Sequence, residues 1–121
     1  MTQLTVPQAN LIDLLFWLVK KRKRLRVMGV SMEPTLKDGE EVLVDLQAYR
    51  NAQPQVGDIV WAKHPFRTDI TIVKRITAIK NGRFFLSSDN PDLRHGQTDS
   101  RHYGMVSLTA INGRICCRLT D

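Results

Sequence analysis

The sequence predicts a mainly β fold with one N-terminal amphipathic helix. The chain has 121 residues, of which 42% are hydrophobic, and this suits a single domain, since domains commonly have about 100–150 residues. Beyond residue 24, short β-like runs alternate with turn residues, as in compact, mixed or barrel-like β folds. We therefore divide the chain into a helix with a basic segment, residues 1–24, and a β domain, residues 25–121.

An apolar stripe predicts the helix over residues 7–22. The stripe has the i, i+3, i+4, i+7 spacing of one helix face and consists of Leu11, Leu14, Leu15 and Leu18. We expect this face to pack against the rest of the molecule. The apolar segment 11–19 is shorter than the ~20 residues of a membrane span, and the basic residues follow it, unlike in a secretory signal. These features predict a cytoplasmic protein without a membrane span.

The net charge of +6 is concentrated in Lys20, Lys21, Arg22, Lys23, Arg24 and Arg26. Such a run suits nucleic acid or an anionic membrane surface. It equally suits a helix C-terminus, where the macrodipole favours cations. We favour the helix C-terminus because no aromatic residues interleave the cations. Nucleic acid is then not an expected partner, and peripheral contact of this run with a membrane stays open.

Seven β-like runs bounded by turn residues predict the strands. They cover residues 25–30, 41–46, 58–62, 70–80, 83–88, 105–108 and 113–119. Asn81-Gly82 predicts a two-residue hairpin between two of them. The polar, aperiodic segment 89–103 predicts a long loop of the kind that often carries function.

The two cysteines, Cys116 and Cys117, are adjacent. This spacing suits neither a CxxC redox pair nor a zinc knuckle. We expect two reduced thiols on opposite faces of a strand, a reducing compartment and no metal site.

A serine lies where the β pattern breaks. A strand stops at Gly29, Ser31 follows, and Pro34 forces a bend. The Ser31 hydroxyl should therefore lie at the tip of a constrained turn, where backbone N–H groups can form an oxyanion hole. Because serine is also a common turn residue, this turn alone does not establish catalysis.

A lysine interrupts the apolar face of the run 70–80. Alternation places Lys74 beside Ile72 and Ile76, whereas Arg75 points to the other face. Apolar surroundings lower the pKa of a lysine, and a neutral amine can take a proton from a serine hydroxyl. A lysine that extends to water or pairs with a carboxylate explains the pattern equally well.

An ordered set of segments resembles the boxes of type I signal peptidases. Residues 27–36 and 38–45 resemble the nucleophile segment, and the later matches are residues 57–60, 72–76, 88–90, 98–101 and 112–115. The resemblance implies a signal-peptidase or LexA-like β fold and a serine endopeptidase without cofactor or metal. Ser31 would be the nucleophile and an oxyanion donor through its N–H, and Lys74 the general base. Oxyanion or supporting roles would fall to Gly29, Met32, Asp99, Ser100 and Arg101.

Two positions depart from this family. Gly29 replaces a serine that donates to the oxyanion in several signal peptidases, and Gln97 replaces a serine that often contacts the lysine. Residues 27–36, 48–50 and 64–67 look most like peptidases that mature nickel-type superoxide dismutase. That likeness implies a protein substrate, the N-terminal pro-segment of a nickel superoxide dismutase precursor.

Other functions remain as alternatives to this one. The chain could process another precursor, as signal peptidase I does, or bind nucleic acid through residues 20–26 as a non-enzymatic β module. A histidine-based triad would use one of His64, His95 and His102. A self-cleaving, repressor-like domain is disfavoured because no Ala-Gly or Cys-Gly bond occurs.

Overall fold

The structure, a computed structural model, is dominated by one seven-stranded antiparallel sheet. It describes residues 5–18, 21–67, 69–92 and 99–119. The strands are β1 (Arg22–Arg26), β2 (Glu41–Asp45), β3 (Ile59–Lys63), β4 (Thr71–Lys80), β5 (Arg83–Ser87), β6 (Val106–Ser107) and β7 (Ile111–Arg118). The helices are α1 (Leu11–Leu18) and α2 (Ser100–Tyr103), and a 3-10 turn covers Leu108–Ala110. The mainly β fold expected from the sequence is confirmed.

The strand order of the sheet is β1-β2-β7-β3-β4-β5-β6. Strand β7 therefore joins the pair β1 and β2 to the strands β3 to β6. Although β7 comes last in the chain, it pairs with both β2 and β3. It also approaches β2 closely, since a Cβ added at Gly113 would lie 2.7 Å from the Asp45 carbonyl oxygen. A side chain at this position would overpack the junction.

Two apolar clusters form the core. The first includes Val42 and Val44 of β2 together with Met32 and Leu36 from the segment after β1. The second includes Val60, Ile76 and Leu86 of the central strands. Met32 is 1% exposed, so its side chain fixes the neighbouring Ser31 turn to the core.

The hairpin between β4 and β5 is confirmed. Asn81 and Gly82 have φ values of 54° and 74°, as a type I′ turn requires. The loop predicted over 89–103 is wrong at its end, where Asp99 caps α2 by accepting a hydrogen bond from the Arg101 N–H. Residues 93–98 of that loop lie outside the described residues.

Helix α1 is shorter than predicted. It begins after Asn10, whose side chain and N–H exchange hydrogen bonds with the N–H and side chain of Asp13, as in a capping box. Leu11 and Leu15 are 72% and 52% exposed, so the expected packing of the stripe is not found at these two positions. Within the described ranges, no helix combines the length and apolar character of a membrane span.

The basic run forms strand β1 from Arg22 onward, so the interpretation of these cations as a helix C-terminus is wrong for residues 22–26. Lys20 lies outside the described residues. Arg22 pairs with Asp45 at 3.1 Å, and Arg24 and Arg26 both pair with Glu41. Opposite charges on adjacent strands favour this pairing. The division of the chain between residues 24 and 25 stays a prediction.

The two thiols lie together, so the expectation that they face opposite sides of a strand is wrong. Leu43 pairs with Cys117 and Val44 with Ile115, which makes Cys116 the extra residue of a β-bulge. The bulge changes the side-chain alternation, and the two Sγ atoms lie 3.5 Å apart.

Candidate active site

The fold brings Ser31 and Lys74 into contact. Lys74 Nζ donates a hydrogen bond to Ser31 Oγ over 2.7 Å, although the residues are 43 positions apart in the chain. Lys74 is only 3% exposed, and its neighbours Val60, across the sheet, and Ile76, along the strand, are fully buried. The burial predicted from alternation is therefore confirmed, and a lysine extended to water is not found.

Burial lowers the pKa of Lys74 to about 8, because loss of hydration destabilises the ammonium form. The negative charge of Asp99 opposes this effect, and the positive charge of Arg101 adds to it. With this pKa, about a tenth of the lysine is neutral at pH 7, far more than for an ordinary lysine. The amine can therefore accept a proton from the serine that it contacts.

The turn that carries Ser31 is held at its start by Asp38. Gly29 has a φ of 89°, which favours glycine, and its N–H donates to Asp38 Oδ1 over 2.8 Å. The Gly29 N–H is thus engaged within the protein. In the described part of the chain, the Ser31 N–H has no acceptor and can donate to a substrate oxygen.

A second attachment comes from Asn90. Its N–H donates to the Ser31 carbonyl oxygen, and its side-chain amide donates to the Val30 carbonyl oxygen, each over 2.9 Å. Next to it, Asp89 accepts from Thr35 and from two nitrogens of Arg75. This network fixes the backbone on both sides of the nucleophile candidate.

Sequence reasoning did not assign a role to the residues of this network. Segment 88–90 contains Asp89 and Asn90 and is one of the segments that resemble signal peptidases. Its side chains, however, are of types common in loops, so the sequence did not indicate that they hold the Ser31 turn. Arg75 does point away from Lys74, yet it is 8% exposed because it bridges Asp89 and the Gly57 carbonyl oxygen.

Of the supports predicted at residues 99–101, Asp99 and Arg101 act on Lys74 through their charges. Asp99 is fully buried and accepts from the Ser88 N–H and from the side chain of Arg101, each over 2.9 Å. Burial alone would raise the pKa of Asp99, but these hydrogen bonds lower it. Ser100 Oγ accepts from the Leu86 N–H, which ties α2 to β5. Gln97, the position expected near the lysine, lies outside the described residues.

The histidines have other surroundings. His64 Nδ1 accepts from the N–H groups of Phe66 and Arg67, which is a turn role. His102 is exposed on α2, and His95 is outside the described ranges. Where the structure describes both partners, no hydrogen bond joins Ser31 to a histidine, so the triad alternative gains no support.

A groove of about 510 Å³ opens beside the Ser31–Lys74 pair. Its walls come from residues 25–32 on one side and from Trp61 and residues 71–74 on the other. Met28 and Val30 are 77% and 38% exposed at this groove. Because apolar side chains line this groove and it adjoins Ser31, it suits a peptide segment with apolar side chains.

Comparisons with known proteins match most of the chain. A family model described as signal peptidase, peptidase S26, matches residues 4–80. Mitochondrial inner membrane protease subunit 1 of Xenopus tropicalis is 32% identical, with coverage of 75% of this chain and 65% of that protein. Signal peptidase I of Aquifex aeolicus is 40% identical, with coverage of 43% of this chain and 20% of that protein. The chain thus spans less than two thirds of the length of either relative.

Proposed function

Since the chain belongs to the signal peptidase family, peptidase S26, we propose that it is a serine endopeptidase with Ser31 as nucleophile and Lys74 as general base. The observation that carries this proposal is the 2.7 Å hydrogen bond between Lys74 Nζ and Ser31 Oγ. A buried lysine in contact with a serine hydroxyl is what a Ser–Lys dyad needs.

The acylation step uses the neutral amine. Lys74 takes the Ser31 proton while Oγ attacks the scissile carbonyl carbon, and the Ser31 N–H donates to the developing oxyanion. The C–N bond then breaks, and the protonated Lys74 gives its proton to the leaving amine. An ester between Ser31 and the N-terminal part of the substrate results.

Deacylation repeats these roles with water. Lys74, neutral again, takes a proton from a water molecule that attacks the ester carbonyl, and the same N–H supports the oxyanion. The ester C–O bond breaks, Ser31 regains its proton from Lys74, and the acid product leaves.

For the substrate, we propose the N-terminal pro-segment of a nickel superoxide dismutase precursor. The support is the likeness of residues 27–36, 48–50 and 64–67 to peptidases that mature this enzyme, together with an open groove for an extended segment. The proposal includes a cytoplasmic location, which cell fractionation would check.

The test mixes the purified chain with two precursors, one of nickel superoxide dismutase and one carrying an ordinary secretory signal. We expect a new N-terminus, read by mass spectrometry, on the first precursor. Ser31→Ala should leave it uncut, whereas Ser107→Ala, an exposed serine on β6, should cut normally. Cleavage of the secretory precursor alone would overturn the substrate, and cleavage by Ser31→Ala would overturn the nucleophile.

Loss of the Asn90 attachment is expected to slow the reaction. In Asn90→Ala, the Val30 carbonyl oxygen loses a side-chain donor, and we expect kcat to fall about 10- to 100-fold with little change in KM, because the nucleophile is less well oriented. Steady-state kinetics on the cleaved precursor measures both constants. Asn51→Ala, an exposed asparagine, is the matched control. A change confined to KM would show that Asn90 contacts substrate instead.

A further inference from the structure

Three potential metal ligands meet outside the groove. Strand β7 provides Cys116 and Cys117 through its bulge, and helix α1 provides Asp13. One ligand atom from each lies within 4.8 Å of the others. None of the three residues lines the groove beside Ser31, so the cluster is separate from the proposed catalytic chemistry.

The spacing of the sulfur atoms suits a small tetrahedral ion. Two thiolates bound at about 2.3 Å to a tetrahedral zinc lie about 3.8 Å apart, and the two Sγ atoms here are 3.5 Å apart. Cys117 is 1% exposed, whereas Cys116 and Asp13 are half-buried. The site is thus largely removed from solvent but can be reached.

The chemistry of the ligand atoms selects the class of ion. Two thiolates disfavour Mg²⁺ and Ca²⁺, which prefer oxygen ligands. A carboxylate as the third ligand disfavours Cu⁺, which prefers sulfur throughout. A mixed sulfur and oxygen set is ordinary for Zn²⁺, and three protein ligands leave a fourth position for water.

The charge of such a site is offset only in part by Arg22. Two thiolates and the Asp13 carboxylate carry three negative charges, one more than Zn²⁺ neutralises. The Arg22 guanidinium on β1 lies near the Cys116 thiol, but it also pairs with Asp45 at 3.1 Å. Arg22 is therefore shared between Asp45 and the site, and part of the negative charge remains.

From this geometry we propose that Asp13, Cys116 and Cys117 form a zinc-binding site that fastens helix α1 to strand β7. On binding, each thiol releases its proton to solvent and forms a Zn–S bond, and the carboxylate forms a Zn–O bond. The helix has two exposed leucines, so a metal link adds a strong attachment between α1 and the sheet.

Zinc titration and thiol reactivity test the proposal. Any effect of zinc on thiol reactivity comes from Cys116 and Cys117, because the chain has only these two cysteines. The reduced, metal-free protein is titrated with Zn²⁺ against a chromophoric chelator. We expect one ion per chain with a Kd of about 1 μM or below. Bound zinc should slow the reaction of both thiols with a disulfide reagent, and Co²⁺ should give a thiolate charge-transfer band.

Variants decide between this site and adventitious binding. We expect Cys116→Ser to weaken Zn²⁺ binding at least 100-fold and Asp13→Asn about 10-fold, with circular dichroism confirming that each variant is folded. Asp69→Asn, an exposed acid elsewhere, should bind like the parent. Unchanged affinity in Cys116→Ser, or thiols that react equally fast with and without zinc, would overturn the proposal. No readout uses peptidase activity, so the outcome is independent of the proposed function.

Discussion

Lys74→Met is expected to abolish peptide-bond cleavage, with a loss of at least about 10³-fold in kcat/KM. Methionine has a similar length and fits the apolar surroundings of Val60 and Ile76, so the fold should persist. The variant lacks the amine that contacts Ser31, and no base then takes the hydroxyl proton. Cleavage of the precursor, followed by mass spectrometry, measures the loss.

The pH dependence of kcat/KM should show whether the neutral or the protonated form of Lys74 is required. As the proposed general base, Lys74 would act in its neutral form, and burial lowers its pKa to about 8. The value of kcat/KM should therefore rise with pH, tenfold per unit below about 8, and level off above it. Lys74→Arg should be inactive at every pH because arginine stays protonated.

A double variant separates the dyad from two independent contributions. If Ser31 and Lys74 act as one unit, Ser31→Ala with Lys74→Met should be no less active than either single variant. Additive losses, or a Lys74→Met enzyme that retains more than a tenth of the parent rate, would contradict the assignment of Lys74 as the base.

Asp99→Ala is expected to destabilise the protein by about 2–4 kcal/mol. The fully buried carboxylate accepts from the N–H groups of Ser88 and Arg101, and both donors lose their acceptor in alanine. Urea unfolding at pH 7 measures the change, with Asp69→Ala, an exposed aspartate, as the matched control. A loss below 0.5 kcal/mol would show that water replaces the carboxylate.

The same residue should control acid stability. The pKa of Asp99 is lower in the folded state than its usual value, so its contribution is full above the unfolded value of about 4 and is lost as the pH falls through the folded value. Asp99→Asn should therefore show less loss of stability below pH 4 than the parent. Equal acid profiles would contradict a charged Asp99.

Asp99 also acts on the lysine. Its negative charge raises the pKa of Lys74 against the effect of burial. In Asp99→Asn, the pKa of Lys74 should fall further, and the rise of kcat/KM should move to lower pH. A purely structural role for Asp99 would lower the rate without moving this profile.

The local sequence pattern predicts features that depend on a single strand or a single turn. Alternation predicted the buried face of Lys74, and Asn81-Gly82 predicted the hairpin, because both depend on adjacent residues. The contact of Ser31 with Lys74 needed more, since it joins a turn to a strand 43 positions away. Only the family resemblance pointed to that pair.

Contacts with distant segments explain the errors. The basic run resembles the end of a helix, but Glu41 and Asp45 of β2 pair with its arginines and make it a strand. The bulge at Cys116 arises from the register between β7 and β2, which the sequence of β7 alone does not contain. The role of Asn90 follows only from the folded structure, in which its N–H and its side-chain amide donate to the carbonyl oxygens of Ser31 and Val30.

The position of β7 makes the geometry of the Ser31–Lys74 pair depend on a strand that contains neither residue. In the strand order, Lys74 lies in β4 on one side of β7, and β1, which precedes the Ser31 turn, lies on the other side. Strand β7 provides the pairing between the two sides through β2 and β3. A substitution that weakens the pairing of β7 is therefore expected to shift Ser31 relative to Lys74, although it changes no residue of the groove.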